Sequence, residues 1–330
     1  MKKILFLTLL VIALFFATQG QTLAQATPQL RVAYRDTQLP VADPTAAVWN
    51  ELPAQTITLA PQKTVRPALI DATIPEVTFK AIHNGQWLSV LLTWDDKTRD
   101  VFATKPDEFS DGVAVQFPVK ETSADSCMGA LNQMVNIWHW KGAWQEDVDK
   151  GFHDVTDAYP NFWADYYPFV SGKPPFTIKD FKGADARAYL VAWNLGNPVS
   201  DPERIVPIEE LNAIGNGTAN GQGSQDVIGR GVWKDGKWSV VFSRPLITPD
   251  TNDAQLTAGK TTSVAFAVWN GSNKEVAARK QTSTWQVVEL ESTGITVSPA
   301  IAGGTVAGVG VIAAVLAVIV TAFVLRRRTK

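Results

Sequence analysis

Few residues of this chain can do chemistry. Among 330 residues there is one cysteine, Cys127, and there are three histidines, His83, His139 and His153. A single cysteine excludes an intrachain disulfide, a cysteine-ligated iron–sulfur cluster and a multi-cysteine zinc site. Three scattered histidines leave little for a His-rich metal site or a Ser/His/Asp enzyme. His139 stands between Trp138 and Trp140, so in a strand it points away from both and reads as a surface or supporting residue. Asp147 and Asp149 look like half of a calcium loop, but Phe152 stands where that loop needs glycine, and the match is discarded. Asn216-Gly217-Thr218 and Asn270-Gly271-Ser272 are glycosylation sequons, patterns short enough to arise by chance.

The more informative signal is aromatic. All 12 tryptophans fall between Trp49 and Trp285. Trp138, Trp140 and Trp144, at even spacing, would face one side of a strand. They form either an ordinary core stripe or an apolar wall for a flat ligand such as a sugar ring or a porphyrin.

The elements that must position these residues read as all-β. Runs rich in β-branched and aromatic residues recur at 55–59, 76–83, 87–94, 112–117, 188–193, 231–242, 263–269 and 283–290. Asn84-Gly85 and Asp235-Gly236 lie between such runs and carry the type I′ hairpin signal. No long helical period is visible in the middle of the chain. The expectation is a β-sandwich or barrel-like domain with long loops, followed by one C-terminal transmembrane helix. Two long stretches, 121–183 and 197–225, read as irregular, and loops of that length are usually functional.

Both ends read as export and anchoring signals. Lys2-Lys3, an apolar run at 4–17 and Ala24-Gln25-Ala26 have the order of a signal peptide, cleaved after Ala26. Residues 300–325 carry no charge and are followed by Arg326-Arg327-Arg328. That length spans a bilayer, and the basic cluster stops transfer. The expected organisation is a signal peptide at 1–26, an extracytoplasmic domain at 27–295, a membrane helix at 300–325 and a basic cytoplasmic tail at 326–330. The protein is then single-pass in the cell membrane, with its folded domain on the periplasmic or external face. The whole chain carries a net charge of −2, yet its two ends hold +2 and +4. The middle is therefore acidic, which argues against nucleic-acid binding.

One set of motifs is more specific. Cys127-Met128-Gly129 precedes Val135-Asn136-Ile137-Trp138-His139-Trp140-Lys141. Glu210-Leu211-Asn212-Ala213 leads into Gly215 and Gly217-Thr218. Gly231–Trp238 is followed by Arg244-Pro245-Leu246. Ala265-Phe266-Ala267-Val268-Trp269-Asn270-Gly271 comes before Lys280, Ser283 and Trp285. Pro44, Trp49 and Pro53 open the series. In this order the motifs resemble the haem b-binding γ subunits of the type II DMSO reductase family. That group includes the γ subunits of ethylbenzene dehydrogenase, dimethylsulfide dehydrogenase, selenate reductase and chlorate reductase, and related subunits of nitrite oxidoreductases. The resemblance covers roughly 40–290. Four features depart from it: Cys127 stands where phenylalanine often precedes Met-Gly, the spacing from Met128 to Trp138 is loose, 145–187 is long, and many members lack an anchor.

The resemblance implies a non-covalent haem b with one methionine and one lysine as axial ligands, here Met128 and Lys280. Met134 and Lys274 are their local rivals. A thioether favours ferrous iron and raises the potential. Lysine ligates only as the free amine, and removing its proton at pH 7 costs about 4.6 kcal/mol from a reference pKa of about 10.4. Burial lowers that cost, so Lys280 is expected to be buried although its Arg-Lys-Gln setting looks exposed. Lys141 is a candidate for a propionate contact or a solvated strand end. The resemblance further implies an electron-transfer subunit that performs no bond chemistry. Its partners would be an iron–sulfur subunit, a molybdenum catalytic subunit and an external carrier such as a c-type cytochrome. Two alternatives stand beside it: a membrane-anchored carbohydrate-binding module, and a ligand-sensing domain, which the short 326–330 tail disfavours.

Overall fold

The computed structural model describes residues 29–120, 128–161, 188 and 190–294. The proposed leader, Cys127, the 300–325 span and the tail lie outside the described residues. Among the described residues no helix is long and apolar enough to cross a membrane.

The strands are β1 (Leu30–Tyr34), β2 (Gln55–Thr58), β3 (Ala60–Pro61), β4 (Glu76–His83), β5 (Trp87–Asp95), β6 (Gly112–Pro118) and β7 (Val135–Lys141). They continue as β8 (Ile208–Ala213), β9 (Asn220–Gly221), β10 (Ile228–Lys234), β11 (Lys237–Pro245), β12 (Thr261–Trp269), β13 (Gln281–Thr282) and β14 (Gln286–Leu290). One layer runs β10-β11-β5-β4, with β2 on β4; the other runs β12-β6-β7-β8-β9, with β13 on β12 and β3 on β13. β1 joins the layers, running parallel to β14 through Leu30↔Val288 and parallel to β4 through Ala33↔Ile82. The all-β expectation therefore holds.

Alternation decides what fills the space between the layers. Val77, Phe79, Val90, Leu92 and Trp94 meet Val113, Val115, Trp138, Trp140, Val264, Phe266 and Val268 in one apolar core. The contacts cross the sandwich: Phe79 meets Phe266 edge-on at 5.7 Å, and Trp140 meets Trp238 at 4.7 Å. Such aromatic pairs add about 0.5–1.5 kcal/mol each beyond their buried area.

Several local expectations need correction. Asp235 and Gly236 both have positive φ (52° and 75°), as a type I′ turn requires. The Asn84-Gly85 turn is different, because only Gly85 is left-handed (φ 89°). Asn84 works instead through its carboxamide oxygen, which accepts from the N–H groups of Gln86 and Trp87. The run expected as a strand at 188–193 forms a single helical turn at Val191–Asn194. The stretches expected to be irregular contain β7, β8 and β9 and a nine-residue helix, α1 (Gly142–Lys150). Trp144 therefore lies on α1 and not on the strand of Trp138 and Trp140. There the Arg204 guanidinium covers its ring at 3.5 Å and the Lys141 amine at 4.0 Å.

Candidate functional site

The residues that alternate with the core stripe face outward from the second layer, and there they wall a cavity of about 980 Å³. That is at the upper end of the roughly 300–1,000 Å³ usual for small-molecule sites. Ala114 from β6, Ile137 and His139 from β7, Leu211 from β8, and Ala265, Ala267 and Trp269 from β12 form its floor. The alanines on β6 and β12 make the space, since larger side chains there would fill it. The rim is the segment after β3, including Lys63 and Arg66. The Gln62 N–H donates to the Lys280 carbonyl at 2.9 Å, and the Gln62 carboxamide donates to the Ala278 carbonyl at 3.0 Å. This pins the rim to the segment that carries Lys280.

Met128 and Lys280 both line this cavity. The Lys280 Nζ lies 3.8 Å from the Met128 Sδ and 4.9 Å from the Trp269 ring centroid. Lys280 is 8% exposed, so its setting in the sequence is misleading and the fold draws it inward. Its rival Lys274 is exposed on the turn after β12, and Met134 is not among the cavity residues.

The backbone aims Met128. Met128 has φ 65° and Gly129 φ 80°, two left-handed residues in succession. For a methionine this conformation costs about 1–3 kcal/mol and persists only where surroundings fix it. Here the Met128 carbonyl accepts from the Gly215 N–H at 2.9 Å. A Cβ on Gly129 would meet the carbonyl oxygens of Gln133 and Ala213 at 2.6 and 2.9 Å. The Met-Gly step and the glycine-rich segment after β8 are thus one structural unit.

His139 points away from Trp138 and Trp140, as alternation requires, and so lines the cavity, stacked on Trp269 at 4.7 Å. Burial, and after it the amino groups of Lys141 and Lys280, hold its pKa well below the ordinary histidine range. The ring is a neutral wall. Lys141 does not reach the cavity: it pairs with Glu209 and covers Trp144. The propionate role considered for Lys141 is therefore not supported. Trp138 and Trp140 are fully buried between the layers, so they are a core stripe and not a wall for a flat ligand, whether sugar or porphyrin.

The cavity suits a large, flat, apolar ligand that carries negative charge. Its floor is mostly hydrocarbon; among the described residues its ionisable lining is Lys63, Arg66, His139 and Lys280, with no carboxylate. A soft sulfur and a buried amine inside one apolar space fit a haem iron better than a hard cation, which takes oxygen ligands. Sequence reasoning missed Ala114, Ala265, Ala267, Trp269, Lys63 and Arg66. The signal for Ala265 and Ala267 was present: these small residues on one face of β12 alternate with Val264, Phe266 and Val268 on the other.

Comparison with known proteins identifies the family. The respiratory nitrate reductase heme subunit of Haloferax mediterranei is 27% identical over 243 residues, covering 73% of this chain and 66% of that protein. The chlorate reductase subunit gamma of Ideonella dechloratans is 28% identical over 240 residues, covering 71% of this chain and 73% of that protein. The chain thus spans slightly less than two thirds of the first relative's length. A family 9 carbohydrate-binding module from Caldicellulosiruptor kristjanssonii superposes with a TM-score of 0.39 at 9% identity, over 82% of this chain and 96% of that one. A score that low supports no statement about ligand. The ethylbenzene dehydrogenase family model matches residues 46–281, which include Met128 and all but the last part of the second layer, and the chain belongs to that family.

Proposed function

We propose that this chain is the haem b electron-transfer subunit of a molybdoenzyme complex, with Met128 and Lys280 as the axial ligands. It is not the catalytic subunit. The observation that carries the reading is the meeting of a thioether and a buried amine at 3.8 Å inside a largely apolar cavity. A bound haem supplies a one-electron couple, and two protein ligands leave no open position for substrate.

The chain's own residues do the rest. Met128 offers the soft ligand and biases the couple toward the ferrous state. Lys280, shielded from water beside Trp269, offers an amine once its proton is lost. The alanines and Ile137 would keep water from a bound haem, and Lys63 and Arg66 at the rim would meet its carboxylates. The partners are an iron–sulfur subunit and a molybdenum catalytic subunit, and an external carrier such as a c-type cytochrome exchanges electrons with the complex. The 300–325 segment anchors the domain on the extracytoplasmic face of the membrane.

The test is an optical spectrum, oxidised and dithionite-reduced, of the chain purified with its partner subunits. Reduced bands of a low-spin b haem, with porphyrin extractable by acid solvent, are expected. A folded, partnered chain without haem would overturn the proposal and leave glycan binding as the next property to measure.

A further inference from the structure

Beside Gly271, just after the end of β12, three carboxylates converge. Asp96 follows β5, Asp100 lies in the β5–β6 connection and Asp111 precedes β6. Each brings one oxygen to within 4.8 Å of the others. Asp96 is 4% exposed and Asp111 1%. Among the described residues none of the three makes an ion pair; Arg99 and Lys237 are engaged by Glu146 at 2.5 Å and Asp95 at 3.0 Å.

The hydrogen-bonding of the cluster is unequal. Asp111 is well supplied: its Oδ1 accepts from the Gly271 N–H, and its Oδ2 from the Asp100 N–H and the Trp238 indole, all at 2.9 Å. Asp96 is not. Its Oδ1 accepts from Thr98, but its Oδ2 is buried and has no hydrogen-bond partner. The nearby Trp94 indole N–H favours the ionised carboxylate, but it does not reach hydrogen-bond geometry. A buried carboxylate oxygen without a donor is costly and calls for a proton or a cation.

We propose that Asp96, Asp100 and Asp111 bind one hard divalent cation of the calcium class. Three carboxylate oxygens with no nitrogen or sulfur donor are the ligands such a cation takes, and carbonyls and water fill the remaining positions. The site braces the route to the cavity. Gly271, whose N–H Asp111 holds, packs so closely that a Cβ there would meet the Phe109 carbonyl oxygen at 2.2 Å and the Asp100 Cβ at 2.5 Å. Trp269, which covers Lys280, is two residues earlier, at the end of β12.

Thermal unfolding of the chelator-stripped full-length chain, with and without millimolar calcium chloride, tests the site. Calcium should raise the midpoint by about 5 °C or more, as expected for a ligand well above its dissociation constant. Elemental analysis should find about one retained ion per chain, and Asp96→Asn should abolish the calcium-dependent rise. No shift with calcium or magnesium, no retained ion and a more stable Asp96→Asn variant would overturn the proposal, because the carboxyls would then be sharing a proton. Should Asp96→Asn fail to fold, terbium luminescence of the wild-type chain decides. Emission sensitised by Trp94 and Trp238 and displaced by calcium supports the site, and its absence contradicts it.

Discussion

The Met128 sulfur and the Lys280 amine lie 3.8 Å apart although 152 residues separate them. Neither is delivered by a long regular element. Met128 sits in a left-handed turn just before β7, and Lys280 immediately precedes the two-residue β13. What joins them is the second layer, where β7, β6, β12 and β13 are consecutive neighbours. A pairing of this kind is a property of sheet order.

His139 is the residue that chemistry alone would choose as the iron ligand, and the geometry argues otherwise. It is a neutral ring stacked on Trp269. His139→Ala should leave the band positions of the low-spin haem unchanged. It should weaken haem retention by about three- to tenfold, the worth of one aromatic contact. Haem transfer to a competing apoprotein measures that rate. Loss of the low-spin spectrum would identify His139 as a ligand.

Gly129→Ala tests whether the turn aims Met128. The added Cβ meets two carbonyl oxygens at under 3 Å in a backbone with φ 80°. The variant should lose at least about 1 kcal/mol of stability in chemical denaturation. Its haem spectrum should change toward that of Met128→Ala. A normal spectrum in a destabilised protein would show that the sulfur finds the iron without the turn.

How much of this was legible in the sequence depends on the range of the interaction. β4, β5 and the β10–β11 hairpin are local, and their alternation and Asp235-Gly236 turn were readable. β8 was not, because Glu209, Glu210 and Asn212 look like loop residues. In the fold Glu209 meets Lys141, Glu210 meets Arg244 and Asn136, and Asn212 donates to the Val135 carbonyl. These polar partners come from distant strands. α1 was hidden for a similar reason: Gln145 is buried only because its carboxamide oxygen accepts from the Gly231 N–H and the Trp140 indole. The ligand candidates were reached through resemblance, since an isolated Met or Lys has no local signature. The cavity floor could have been read from the alanines of β12.

Arg244 is the test of those polar partners. It is fully buried, 2.9 Å from the Asn136 carboxamide oxygen and 3.3 and 3.5 Å from the carboxylates of Glu210 and Asp253. Burial already pushes the Glu210 carboxyl upward. Arg244→Leu leaves two buried carboxylates without their cation, and should destabilise the domain by about 3–5 kcal/mol. Urea unfolding checks this. A loss under 1 kcal/mol would mean that the site relaxes around protonated carboxyls.

His83 sets a pH dependence remote from the cavity. It is buried, its Nε2–H donates to the Glu291 carbonyl at 2.8 Å, and its Nδ1 accepts from the Gly85 N–H at 3.2 Å. That pair fixes the neutral tautomer, and burial lowers its pKa from the ordinary 6.5. Between the folded value and 6.5 the unfolded chain holds a proton that the folded chain refuses. The contribution is therefore complete above about pH 6.5 and declines as pH falls toward the folded value. His83→Gln should flatten the dependence of the melting temperature on pH just below 6.5. An unchanged slope would assign that limb to other groups.

The central claim is that Met128 and Lys280 hold one haem iron between them. The most direct measurement is the ferric and ferrous spectrum of the intact complex carrying Met128→Ala or Lys280→Ala, beside wild type. Each substitution should convert the low-spin spectrum to one with a changed or open axial position, and Met128→Ala should also lower the reduction potential. Wild-type spectra and potential in both variants, with haem retained, would contradict the account.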